Sequence, residues 1–462
     1  MTFNVGLSGL YAANKSLDVT GNNIANVATT GFKSSRAEFA DQYAQSIRGT
    51  AGGVNTGSGV YTSTVSQQFT QGNLSTGTGR SLDLAINGNG FFMMSNNGEK
   101  LYTRAGAFHT DINGFVVDNA GHNLQGYGVD NQGNISPGVV SNLKVDASNL
   151  QPKSSSTISI ASNLNSSATA PTVATFDPTN SNSYTTTYST PIYDSQGNQH
   201  SLDQYFSKNT GTNTWTMYTL VDGRSISNPD VSPVVPDVTT LKFDTSGKLI
   251  TTGTDAPVST RPTTPASPSN ISIDADGIFT IANWVPAAKT VTGTTTTWAA
   301  NGASGNLVTT GATSSPAMKL NMVATTQTNS VSGAITKTQD GYATGQITAM
   351  NVDATGNMFA TYSNGQSKVI GQVSLTNFAN TQGLAPAGGT AWRETYTSGI
   401  PVTGAPESGT LGYLTSQALE ESNVDLTGEL VNLIKAQSNY QANAKTISTQ
   451  STILQTTIQM VS

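Results

Sequence analysis

Apolar residues recur at alternating spacings of four and three at both ends of this chain. Near the start the series is Phe3, Leu7, Leu10, Asn14, Leu17, Gly21, Ile24 and Ala28. At the other end it is Leu426, Leu430, Leu433, Gln437, Tyr440, Ala444, Ile447, Ser451, Leu454, Ile458 and Val461. A 3.5-residue period lays an apolar seam along one side of a helix, so helices are expected in 1–30 and 420–462. An apolar stripe usually packs into its own domain core, but the second seam runs over about 37 residues, a helix roughly 55 Å long. That is longer than a small domain is wide. The first, at about 26 residues, spans roughly 39 Å. Asn14 and Gln437 interrupt the seams as polar positions that fix register at a cost in stability. Few charges flank either seam, which suits packing against several neighbours better than an isolated two-stranded coil. Gly21-Asn22-Asn23 predicts an end or a bend in the first helix, since a mid-helix Gly costs about 1 kcal/mol relative to Ala.

Between the helices the period changes. Residues 31–70 are mixed and Gly-rich and read as an extended linker with short ordered pieces. From about 71 the alternation becomes two, as in Leu82, Leu84 and Ile86, and Asn87-Gly88-Asn89-Gly90 before Phe91-Phe92-Met93-Met94 carries a hairpin signal. An Asp-x-x-Gly tetrapeptide recurs at Asp111, Asp118, Asp130, Asp194, Asp244, Asp274 and Asp353. Asp at the first position of a type I turn bonds its own backbone two residues on, and Gly at the fourth accepts the left-handed conformation. An all-β middle built from hairpins follows. Pro229, Pro233, Pro236, Pro257, Pro262, Pro265 and Pro268 argue against central strands in 225–270. Residues 286–315, Thr/Ala/Gly-rich after Pro286, read as a surface excursion, and 383–409 is another Gly/Pro-rich span. The expected fold is mixed but mainly β: nested antiparallel β domains, with the terminal helices packing as a coiled-coil-like inner domain. The expected divisions are 1–30 with 420–462 (helical), 31–70 (linker), 71–145 with 336–419 (β domain from both halves), and 146–335 (inserted outer β).

Composition narrows the function. Only 10% of the 462 residues are charged, against about 25% in ordinary soluble proteins; Thr, Ser, Asn and Gly take their place. Net charge is −6 without a Lys/Arg cluster, which disfavours nucleic acid and anionic membranes as partners. No stretch approaches the ~20 apolar residues of a membrane span. With no cysteine, disulfides, thiolate metal sites and Cys nucleophiles are excluded. Met1 to Asn14 carries none of the parts of a secretory leader, although the surface composition suits a protein outside the cell.

Catalytic constellations do not emerge. His109, His122 and His200 share no metal-ligand spacing. Asp274-Ala275-Asp276-Gly277 lacks the third oxygen position and distal Glu of a calcium loop. Gly77-Thr78-Gly79 and Gly88-Asn89-Gly90 do not continue as nucleotide loops. Glu420-Glu421, just before the second helix, reads as an acidic pair favouring the helix dipole. Neither an enzyme nor a cofactor is expected.

Three segments carry a family signature. The first is Gly6-Leu-Ser-Gly-Leu-Tyr11 with Leu17-Asp-Val-Thr-Gly-Asn-Asn-Ile-Ala-Asn-Val27-Ala-Thr-Thr-Gly-Phe-Lys33. The second is Gly72-Asn-Leu-Ser-Thr-Gly77 with Leu82-Asp-Leu-Ala-Ile-Asn-Gly-Asn-Gly-Phe-Phe92 and Tyr102-Thr-Arg-Ala-Gly106. The third runs from Glu421-Ser-Asn-Val-Asp425 through Lys445-Thr-Ile. Together, over 1–145 and 410–462, they closely resemble the bacterial flagellar rod and hook proteins. The large central insertion is similar to the hook members rather than the shorter rod members. The resemblance implies terminal helices packing as an inner tube around a channel, β domains projecting outward, and a curved joint that carries torque. Implied partners are further copies of the chain in a helical polymer, the rod, hook-cap and hook–filament junction proteins, and the type III export apparatus, which delivers members unfolded and uncleaved. On that reading the assembly surface is Phe3, Leu7, Leu10, Leu17, Ile24, Leu426, Leu430, Leu433, Tyr440, Ala444, Ile447, Leu454, Ile458 and Val461. A distal rod or junction component, or a secreted β-rich adhesin, are the competing readings.

Overall fold

The computed structural model describes residues 2–42, 57, 59–130, 133–146, 148–226, 234–260, 271–274, 276–281, 288–292, 295–299 and 317–461. Pro229, Pro233, Pro262, Pro265, Pro268, Pro286 and the 300–315 part of the Thr/Ala/Gly-rich span lie outside these. The chain divides into two compact units, one of residues 1–147, 347–361 and 367–462, the other of 148–346 and 362–366.

The first unit holds both helices, α1 (Thr2–Ala25) and α2 (Leu426–Val461). α1 runs through Gly21-Asn22-Asn23 and ends only at Ala25, where the Asn26 amide and side chain both donate to the Asn22 carbonyl. α2 starts on Asp425, whose carboxylate accepts the Thr427 amide at 3.0 Å, a standard N-cap. The presumed linker is partly a ribbon: Ser35–Asp41 pairs antiparallel with Val60–Gln67. Strand pairings in three sheets then join the two halves of the chain. Leu74–Thr76 pairs with Ala418–Glu420, Leu84–Asn87 with Tyr413–Ser416, and Phe91–Asn96 with Leu375–Asn377. Their core buries Leu84, Ile86, Phe92, Met94, Phe108, Leu124, Val373 and Leu375, beside a cluster of Phe91, Tyr102, Phe378 and Trp392.

The Asn87–Gly90 signal does not make a hairpin. The strands on either side pair elsewhere, and the backbone there is pressed against another segment: a Cβ on Gly88 would stand 3.1 Å from Gly412 Cα. The hairpin lies next along, where Asn97 (φ +49°) and Gly98 (φ +97°) turn Phe91–Asn96 back onto Glu99–Thr103, the Asn-Gly type I′ arrangement.

The second unit packs two sheets around one core of Trp215, Phe206, Leu202, Ile158, Leu241, Phe279 and their neighbours. Thr157–Asn165 pairs parallel with Met318–Asn321 and Thr326–Thr328, and antiparallel with Gly333–Gln339. This sheet is mixed rather than purely antiparallel, because a long excursion separates the parallel strands and parallel pairing needs such a crossover. That pairing also draws 336–346 into this unit and away from the β domain assigned to it on sequence. The second sheet has Asp237–Lys242 between Thr214–Val221 and Val258–Thr260. A non-edge strand therefore sits inside the proline-rich window, since Pro236 and Pro257 flank it without interrupting it. All seven Asp-x-x-Gly turns form. In each the glycine amide donates to the aspartate carbonyl at 3.0–3.1 Å, with glycine φ between +77° and +85°.

Candidate functional site

Each terminal helix carries small and polar positions beside its apolar seam, and many of these lie in the contact between the two helices. α1 and α2 pack antiparallel, with the start of α1 against Asn443 and Ile447 and its later turns against the start of α2. On α1, Gly6 and Gly9 stand against α2, Ser16, Val19 and Thr20 line a groove shared with it, and Gly6, Ala13, Val19 and Thr20 are buried. Apart from Val19 these are small or polar side chains. Opposite them stand Asn432, Ala436, Asn439, Asn443 and Ile447. The approach is close: a Cβ on Gly9 would fall 2.6 Å from Asn443 Oδ1, and one on Gly6 3.1 Å from Ile447 Cγ1. Helix separation is set by the side chains at the contact, and here those are nearly absent.

The apolar seams read from sequence flank this contact. Phe3, Leu426, Leu430, Tyr440, Leu454 and Ile458 are exposed, Leu430 by 45% and Ile458 by 68%. Leu7, Leu10, Leu17, Ile24, Leu433, Ala444 and Ile447 are half-buried. Val461 lies in α2. Ile447 of the seam packs against Gly6 of α1. Ile434 and Met460, outside the seam, are 65% and 82% exposed. The helix pair thus presents exposed apolar side chains along α2 from Leu426 to Met460 and at Phe3 of α1.

Where the helices join the sheet, the signature residues have physical roles. Asn23 holds the Ser35 backbone on both sides, donating to its carbonyl at 2.8 Å and accepting its amide at 2.9 Å. Gly31 (φ +68°) donates its amide to the Glu420 carbonyl at 2.8 Å, and a Cβ there would strike Ala105 N at 2.4 Å. Lys33 Nζ reaches Glu420 Oε1 at 2.5 Å and the Thr70 carbonyl at 2.7 Å. Arg104 Nη1 donates to Glu420 Oε2 at 3.1 Å and Nη2 to the Gly88 carbonyl at 2.8 Å. The Gly72 amide completes the Glu420 shell at 2.9 Å. Neither the Lys33 nor the Glu420 side chain is exposed at all. Burial lowers the pKa of both Lys33 and Arg104, and the Glu420 carboxylate opposes that shift. Beside this network Asn423 accepts the Ser34 amide and donates to the Gln68 carbonyl. Glu420 is therefore a buried counter-ion six residues before α2, not a helix-dipole charge. Sequence reasoning missed it because its partners lie far away in the chain, though Lys33 and Arg104 both sit inside the signatures.

The remaining chemistry is structural. His122 Nδ1 lies 2.8 Å from Asp118 Oδ2 within one turn, and His109 is exposed. His200 contacts Asp222 at 2.6 Å and Asp194 at 3.5 Å. Burial would lower its pKa, but the hydrogen bonds and charges of these aspartates raise it. Among the described residues no three His, Asp or Glu side chains gather as a metal site. No described helix is long and apolar enough to cross a membrane. An open groove of about 700 Å³ in the first unit is lined mainly by Asn22, Asn26, Thr29, Asn119, Thr390 and Trp392; its one amine, Lys33, is committed to Glu420.

Comparison with known proteins accounts for this pairing of unsatisfied helices with a two-ended sheet. Family models match in order along the chain: "Flagella basal body rod protein" over 3–33, "Flagellar hook protein FlgE/F/G D1 domain" over 85–167, "Flagellar basal body protein FlaE D2 domain" over 163–342, and "Flagellar basal body rod FlgEFG protein C-terminal" over 415–460. Flagellar hook protein FlgE of Escherichia coli K12 is 37% identical over the full length of both chains. That of Salmonella typhimurium LT2 is also 37% identical over both full lengths, and that of Treponema pallidum 32% over 98% of each. The chain belongs to the flagellar hook protein family. Family members are structural hook subunits, and the full-length match includes the inserted second unit.

Proposed function

We propose that this chain is a non-enzymatic subunit that polymerises outside the cell into the curved tube joining flagellar rod to filament, and that its helix pair is the main polymer contact. The observation that carries the reading is the exposure of Phe3, Leu426, Leu430, Tyr440, Leu454 and Ile458 of the apolar seams on the helix pair. Burying a Leu or Ile side chain is worth about 1.5–3 kcal/mol, and exposed apolar surface on this scale marks an interaction site. Neighbouring copies bring the same seams, so each pair becomes one spoke of an inner tube with the β units outside. Rod, hook-cap and junction proteins meet the ends of such a tube, and the type III export apparatus delivers the subunits. A surface with few ion pairs lets outer units slide as the tube bends, since exposed pairs contribute little and few directional contacts must break.

Replacing Leu430 and Leu433 by Asp tests this. Electron microscopy should show no tubes from the variant, while hydrogen exchange in residues 148–346 stays as in the parent; normal tubes would sink the reading. Circular dichroism should show more helix per subunit in the polymer than in the free chain, because ordering of the ends is then coupled to burial.

A further inference from the structure

Past the helices, the first unit holds a second apolar feature, a loop leading into a strand whose large apolar side chains stand mostly in water. Tyr396 is 102% exposed, Ile400 85% and Val402 65%. The loop beneath them is firmly built. Thr395 and Ser398 form a reciprocal capping box, and Ser398 is fully buried. Thr395 Oγ1 donates to the Gly383 carbonyl at 2.5 Å, and Asn380 Nδ2 to the Thr397 carbonyl at 3.0 Å. A Cβ on Gly383 would lie 2.4 Å from Thr397 C, so the loop rests directly on its support. No charge occurs between Glu394 and Glu407, and the charges just before it are used inside the unit: Arg393 pairs with Glu99 and Glu394 accepts from Tyr102. An aromatic and two β-branched side chains held rigidly in water cost little ordering entropy when they are covered, which is the profile of an interface anchor.

We propose that the Tyr396–Val402 loop is a second subunit–subunit contact, covered in the polymer by another copy of this chain. The proposal rests on the tube reading above. Continuity supports this occupant: Gln382, beneath the loop, donates to the Gln67 carbonyl, and Gln67 ends the strand whose first residue, Val60, is bonded to Ser8 of α1. That strand exposes Tyr61 and Val65, and its partner Phe39, so exposed apolar side chains run from the helix surface towards the loop. Chemistry agrees, because a charge-free knob suits a partner whose own surface is neutral and polar. A helical polymer also covers the same patch on every internal subunit by a heterologous contact.

The test uses the full chain with Tyr396→Ser and Ile400→Ser together, and separately a photo-cross-linking amino acid at position 396. Tyr396 is fully exposed and Ile400 85% exposed, so thermal melting of the double variant should stay within about 1–2 °C of the parent. The subunit concentration needed for polymerisation should rise about tenfold or more, and irradiated polymer should yield an adduct of two copies that free subunits do not. Unchanged polymerisation, no two-copy adduct, or an adduct only with a different flagellar protein would each overturn the proposal. If the parent itself fails to form tubes, the tube reading fails instead.

Discussion

The second unit and the terminal helix pair come from one polar, charge-poor chain, yet they settle their apolar residues in opposite ways. In the second unit Trp215, Phe206, Leu202, Phe279 and Leu241 are wholly buried between two sheets of the same chain. In the helix pair glycine, alanine, serine, threonine and asparagine take much of the contact, and Leu426, Leu430, Ile434, Leu454 and Ile458 are exposed. Sheets close on themselves because alternate residues point to one face and a second sheet covers it. Two helices alone cover only one stripe each. When that stripe is largely small and polar, apolar side chains beside it stay exposed on the single chain.

Five experiments break or sharpen this contrast. Glu420→Gln should cost the first unit about 3–5 kcal/mol, because it strips a buried carboxylate from two buried cations. Hydrogen exchange should loosen in 71–145 and leave the second unit's core strands protected. Replacing Lys33, Arg104 and Glu420 together by Met should recover most of that loss. Leu241→Ala should cost the second unit about 2–5 kcal/mol through a cavity, seen as an earlier melting step, with tube formation retained. Gly9→Ala should change subunit stability by less than about 1 kcal/mol, since the gain in helix propensity is set against moving the flexible end of Asn443; a larger loss would mean the helix contact is stiffer than its side chains suggest. The smallest effect is on acid stability. Burial alone would raise the Asp340 pKa, but hydrogen bonds from Ser156, Thr157 and Lys153 hold it well below the usual range. A depressed carboxylate stabilises the fold above its unfolded value near 4 and loses that contribution as pH falls through the folded one. Asp340→Asn should therefore flatten the melting temperature of the second unit between about pH 4 and pH 2 relative to the parent.

What sequence made legible was local. The Asp-x-x-Gly turns form because their hydrogen bonds close within four residues, and both helices form because periodicity is a property of one segment. Which face of each helix meets the other is not local. The seam period and the Gly6–Gly9–Ala13 period coexist on α1, and only the partner's Asn443 and Ala436 decide between them. Asn87–Gly90 misled for the same reason: its glycines serve the approach of Gly412, over 300 residues later, while the true turn at Asn97-Gly98 carries the same dipeptide. The proline window hid Asp237–Lys242 because proline marks where a strand ends as readily as where none exists. Glu420 was discounted because its acid neighbour and the helix beyond offered a sufficient nearby explanation.

Glu420 follows Lys33 by 387 residues, at position 420 of 462. In any chain that emerges amino end first, Lys33 and Arg104 wait for their counter-charge through almost the entire length. Closing the sheet before then would seal two cations away from water with nothing to neutralise them, at several kcal/mol each. The buried charges thus tie closure of the first unit to its last β segment, Ala418–Glu420, with α2 following directly behind it.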